Sequence, residues 1–140
     1  MGQGGDTMLS LMALRSQGSI AIAFVRSLDW DPFSQELVRK LQSKFDSLRA
    51  ADVQIVAIHG YGKDKNAAWQ DSLELRFPLL ADEASAVMRG YDVFDKGSLP
   101  HPALFLVDSQ GTIRYRQLFT ESEAPPDIAP LLERVQKTRN

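Results

Sequence analysis

The sequence predicts an α/β fold, and two observations carry that prediction. A buried strand, a helix and a second buried strand follow one another between residues 20 and 58, which is a βαβ unit. Two further strands, joined by a tight turn and followed by a helix, occupy residues 103–137. Periodicity alone supports one α/β domain and no finer architecture.

The elements follow in order. Residues 9–15 form a short helix, ended by the Ser16-Gln17-Gly18 turn. Residues 20–25, Ile-Ala-Ile-Ala-Phe-Val, are a continuous apolar run bounded by turn residues, as in a strand buried on both faces. A helix then starts at Asp31, a good N-cap, with Pro32 at its first position. Phe33, Leu37, Leu41, Phe45 and Leu48 keep helical spacing, so one helix is expected to run to about Ala50. Residues 53–58 are rich in branched side chains and make the second strand, ending at His59-Gly60.

Residues 66–75 read as a helix with Trp69 and Leu73 on its inner face. Residues 77–80 are a short apolar stretch, followed by a helix over 83–89 that Gly90 closes. Residues 103–107 and 112–119 are strands joined by Asp108-Ser109-Gln110-Gly111, with Gly where a positive φ is required. The last helix, 127–137, carries Ile128, Leu131, Leu132 and Val135 on one stripe, and Pro130 is tolerated in its first turn. No internal repeat or dividing linker is present. Residues 1–18 are expected to be a partly flexible N-terminal segment, and 19–140 the folded domain.

Composition narrows the function. At 140 residues the chain can bury one core without staples. A formal charge of −2, with Lys and Arg scattered, argues against nucleic acid as a partner. No apolar stretch approaches the ~18 residues that span a bilayer, and the Gly-rich start lacks a basic signal region. A cytoplasmic location is therefore expected, without membrane association. The chain has no cysteine, which removes disulfides, thiolate metal sites and every thiol nucleophile.

The run from Phe24 to Leu37 (FVRSLDWDPFSQEL) resembles the active-site segment of the alkyl hydroperoxide reductase/thiol-specific antioxidant family. That segment reads strand, Arg-Ser-x-Asp-Trp, then Cys-Pro-Phe-Cys opening a helix. Asp31 stands at the position of the first cysteine and Ser34 at that of the second. Phe77-Pro78-Leu79-Leu80-Ala81-Asp82 with Ser85-Ala86-Val87 resembles a second family segment. Pro102-Ala103-Leu104-Phe105-Leu106-Val107-Asp108 with Gly111 resembles a third. The resemblance implies a thioredoxin-like fold: a central mixed four-stranded sheet, order two-one-three-four, with helices on both faces.

It also implies peroxiredoxin chemistry that this chain lacks the atoms to perform. At a helix N-terminus, unpaired N–H groups and the helix dipole lower a thiol's pKa and make it a nucleophile toward peroxide. Asp31 cannot form a sulfenic acid, and Ser34 cannot resolve one as a disulfide. Asp31 is most simply the helix cap, Ser34 a first-turn residue with a local hydrogen bond.

The candidate groove around this degenerate site comprises Arg26, Trp30, Phe33, His59, His101 and Pro102. Arg26 is expected to pair with Asp29, and Phe33 to enter the core. Pro102 resembles the proline that is cis in thioredoxin folds; a trans proline at a strand start is the alternative. His59 and His101 are expected at the same sheet edge as Asp31, but the chain has no metal-binding spacing. Neither a metal nor another cofactor is expected. The leading expectation is a redox-inactive member that binds a protein or small-molecule partner, in a possible homodimer through a strand edge or the loops around the site. The rivals are a thiol peroxidase with substituted cysteines, and a non-thiol activity built from Asp31 and the histidines.

Overall fold

A computed structural model describes residues 12–14, 18–29, 31–60, 64–82, 91, 101–119 and 125–139. Its elements are β1 (Ser19–Phe24), α1 (Pro32–Ser43), α2 (Phe45–Ala50), β2 (Val53–His59), α3 (Asp64–Leu73), β3 (Leu79–Ala81), β4 (Ala103–Val107), β5 (Ile113–Leu118) and α4 (Ala129–Arg139). Met12, Ala13 and Leu14 are helical, within the helix expected over 9–15. The helix expected over 83–89 lies outside the described residues.

The strands form one mixed sheet in the order β3-β2-β1-β4-β5. β1 is parallel to β2, with Phe24 opposite Ile58, and antiparallel to β4, with Phe24 opposite Ala103. The four expected strands are thus neighbours as anticipated, and the sheet has five strands rather than four. The fifth, β3, covers only Ala57, Ile58 and His59 of β2. Three residues after a proline carry too little pattern to announce a strand; the edge offered by β2 makes it one.

The central strands are largely apolar because both sheet faces are covered. On one face Ala21, Ala23, Ile55, Leu104 and Leu106 pack with Leu37, Val38 and Leu41 of α1, Leu48 of α2, Trp69 of α3, and Leu131 and Val135 of α4. On the other, Ile20, Ile22, Phe24, Val56, Ile58 and Phe105 meet Leu14 and Tyr91. Phe24, Tyr91 and Phe105 pack ring against ring, with centroids 4.9–5.6 Å apart.

The long helix expected from 32 to 50 is two helices. Ser43 Oγ donates to the Lys40 carbonyl at 2.6 Å, the acceptor that the Lys44 amide would use in a continuous helix. Lys44 N–H bonds back to Leu41 O instead, and the chain turns before α2. α3 begins and ends two residues before the expected 66–75, closed by Glu74 at φ 51°. In the hairpin turn Gly111 has φ 88°, as its place in the turn requires. Asp108 Oδ1 accepts from the N–H groups of Gln110 and Thr112 at 3.0 and 2.9 Å and fixes that turn.

Candidate functional site

The register places the end of β1, the end of β2 and the start of β4 at one sheet edge. From that edge the chain leaves β1, passes through residues 25–29 and enters α1 at Asp31. Hydrogen bonds tie this loop to the helix it precedes. Asp31 Oδ1 accepts from Phe33 N–H at 3.3 Å, and Asp31 Oδ2 accepts from Ser34 Oγ–H at 2.6 Å. Ser34 Oγ in turn accepts from Arg26 N–H at 3.0 Å. Gln35 Nε2 donates to Leu28 O at 2.8 Å.

Asp31 is therefore the cap that the sequence indicates, and its second oxygen is engaged by Ser34. Pro32 contributes no N–H, so the first turn has one fewer donor to satisfy. The carboxylate also lies at the positive end of the α1 dipole, a favourable place for an anion. Asp31 is 6% exposed and Ser34 wholly buried. The carboxylate folds back on the helix start instead of pointing into an open groove.

Asp29 bonds to α3, although the sequence suggested Arg26 as its partner. Its Oδ1 accepts from Trp69 Nε1–H at 2.7 Å and its Oδ2 lies 3.3 Å from Lys65 Nζ. The Trp69 hydrogen bond is the main reason its pKa falls below the ordinary carboxylate value of 3.8; desolvation opposes it and Lys65 reinforces it. Adjacency in sequence favoured the Arg26 pair, but α3 brings a donor and a cation to Asp29 from across the site. Asn66, Trp69 and Lys65 sit on one helix, and the i, i+3 spacing of Asn66 and Trp69 puts them on one face.

That face meets His59. His59 is wholly buried, its Nε2 is 2.6 Å from Asn66 Oδ1, and its ring stands edge-on to Trp69 at 4.8 Å. Asp29, Trp69, His59 and Asn66 are thus linked in series, by hydrogen bonds at the two ends and a ring contact between Trp69 and His59. Asn66 was the residue missed from sequence; its helical spacing from Trp69 was the available signal.

The other candidates divide. Phe33 is buried, its ring 5.1 Å from that of Phe119, so it belongs to the core and not to a groove. Pro102 is buried and its carbonyl accepts from Phe119 N–H at 2.8 Å. The His101–Pro102 peptide is trans, the alternative open to a proline at a strand start. His101 is partly buried, and its Nδ1 has no hydrogen-bond partner among the described residues. Trp30 lies outside the described residues. Among the described residues no three His, Cys, Asp or Glu side chains are arranged to hold a metal ion. No described helix is long and apolar enough to cross a membrane.

These features define a thioredoxin-like fold with peroxiredoxin architecture. The bacterioferritin comigratory protein of Xanthomonas campestris, whose structure was studied for its alkyl peroxide reduction, superposes with a TM-score of 0.80 at 14% identity, over 90% of this chain and 83% of its own. Peroxidoxin BcpB of Mycobacterium tuberculosis matches with a TM-score of 0.80 at 18% identity, over 93% and 86%. A reduced 2-Cys peroxiredoxin of Plasmodium vivax matches at 0.79 and 15% identity, over 92% and 82%. Comparison with curated protein sequences gives no match. The AhpC/TSA family model matches residues 2–116, and the chain belongs to that family. It is a member without cysteine.

Proposed function

We propose that this protein is a redox-inactive peroxiredoxin-like protein of the cytoplasm, acting by binding a protein or small-molecule partner rather than by turnover. One observation carries the reading. The two positions that resemble the family's cysteines hold Asp31 and Ser34, which are hydrogen-bonded to each other at 2.6 Å and closed off from solvent. A carboxylate whose oxygens accept from Phe33 N–H and Ser34 Oγ–H offers peroxide no soft electron pair. The pair serves the fold by capping α1, and the thioredoxin-like framework around it is kept.

The test is peroxide consumption by the purified protein, with hydrogen peroxide or an alkyl hydroperoxide and dithiothreitol as donor. The expected rate is that of the protein-free control; a rate that rises with protein concentration overturns the proposal. Asp31→Cys with Ser34→Cys asks whether the site is merely disarmed. Because both positions are buried, the folded double variant is expected to stay inactive, and robust peroxide reduction by it would favour a disarmed peroxidase instead.

A further inference from the structure

Among the described strands only β5 has exposed positions, at Ile113, Arg114 and Arg116, and it is the outermost strand on its side of the sheet. The outer row of backbone groups on such a strand is a template for pairing with another chain. The register fixes which groups form that row. Phe119 N–H donates to Pro102 O at 2.8 Å, and Gln117 and Tyr115 stand opposite Leu104 and Leu106. The N–H groups of Tyr115, Gln117 and Phe119 therefore point toward β4. Across a trans peptide the preceding carbonyl points the other way, so the carbonyls of Arg114, Arg116 and Leu118 face outward. By the same alternation the Leu118 N–H faces outward too.

Pairing of this edge with a second copy, antiparallel and centred on Arg116, has a definite requirement. Each Leu118 N–H would have to reach the Arg114 carbonyl of the other copy, on either side of the central pair. That carbonyl is already taken. Arg134 of α4 reaches over the edge and donates its Nη1–H to Arg114 O. A guanidinium donor is charged, and its bond is stronger than the amide bond that would replace it. The helix that carries it is anchored, because Leu131 and Val135 on either side of Arg134 are buried in the core.

Two further features of the edge work in the same direction. Arg116 would stand opposite its own copy, and like charges directly across a ladder repel. Val107 pairs with Ile113 and Leu106 with Tyr115, so Arg114 is an extra residue that bulges the strand and increases its twist. The bulged residue is held by its own side chain, whose Nε lies 2.9 Å from Asp108 Oδ2 in the hairpin turn.

We propose that Arg134 is a built-in block on the β5 edge, which keeps the chain from adding a second copy of itself there. The side chain of one helix thus occupies the acceptor that self-pairing needs, and the bulge and Arg116 reinforce it. A homodimer through a strand edge, one of the expectations from sequence, would not use β5. The proposal holds whether or not the Asp31 site is redox-inactive, because it involves none of that site's residues.

Sedimentation of the full chain over a range of concentrations is the test. The parent is expected to remain monomeric up to about 1 mM. Arg134→Ala releases the Arg114 carbonyl in both copies, so its mass should rise with concentration, with self-association at least about tenfold tighter. Adding Arg116→Thr removes the facing charges and should tighten it further. In both variants the Leu118 amide should exchange with deuterium more slowly as concentration rises, which reports pairing at this edge and not elsewhere. Arg134 is exposed, so the variants should fold, and a melting curve checks it. Arg134→Gln, with its shorter side chain, serves in place of the alanine variant if that one does not fold. Lys137→Gln on the same helix should stay monomeric.

Any of three results would overturn the proposal. One is that the single and double variants are both folded and monomeric at about 1 mM. Another is a parent that is already a dimer with a protected Leu118 amide. The last is a variant dimer in which exchange at Leu118 does not change, which would place the contact on another surface.

Discussion

Asp31→Ala removes two hydrogen bonds at once, and its cost can be worked out from their geometry. Loss of the cap to Phe33 N–H costs about 1 kcal/mol. Ser34 is wholly buried, so its hydroxyl proton loses its acceptor where water cannot replace it, a further 1–2 kcal/mol or so. Together the change is about 2–3 kcal/mol. For a domain of this length, at about 3 °C per kcal/mol, the melting temperature should fall by about 6–9 °C. Asp31→Asn keeps an acceptor for Phe33 N–H and should lose about half as much. Calorimetry and urea titration measure these values, and a double-mutant cycle with Ser34→Ala should give a coupling of about 1 kcal/mol. If Asp31→Ala melts within about 2 °C of the parent, or the coupling vanishes, the pair is not what holds this helix start.

Other predictions follow from single contacts. Gly18 has φ 142°, and a Cβ there would stand 2.7 Å from the Asp52 carbonyl oxygen, so Gly18→Ala should cost about 1–3 kcal/mol in a urea melt. His59→Ala should cost about 2–4 kcal/mol in the same measurement, because it empties a buried site and strips Asn66 of its partner. Asp29 has a folded pKa below 3.8, so its contribution to stability is complete above that value and is lost as pH falls through the lower folded one. Carboxyl NMR should place its midpoint below 3.8, and Trp69→Phe should move it upward; an unmoved midpoint would reject the Trp69 hydrogen bond as the cause. Asp108 should behave likewise below 3.8, through its hydrogen bond from Thr112 N–H.

Which of these features the sequence displays depends on how far apart their causes lie along the chain. β1, β2 and β4 are apolar runs between turn residues, and their burial on both faces follows from that pattern. The start of α1 is legible because Asp31 and Pro32 are adjacent to what they cap. The break at Lys44 is not, because the apolar spacing continues through it; a single hydroxyl, Ser43 Oγ, takes the Lys40 carbonyl. Likewise Asp29 bonds to a side chain 40 residues away, a contact no local spacing reveals. Arg49 and Arg76 meet on Phe45 for the same reason, through the turn that Gln42 secures.

The Asp31–Ser34 pair shows why one backbone can keep its shape while its chemistry changes. Residues i and i+3 in a first helical turn are within reach of each other, so side chains there can meet. Of two thiols so placed, one could be oxidised by a peroxide to a sulfenic acid, and the other could condense with it to a disulfide, releasing water. A carboxylate and a hydroxyl so placed satisfy one another and two backbone N–H groups, from Phe33 and Arg26. The helix dipole that would hold a thiolate at this position here faces a carboxylate supplied by the chain itself. Its positive end is therefore already neutralised, and a ligand approaching this edge meets a closed cap instead of an anion site.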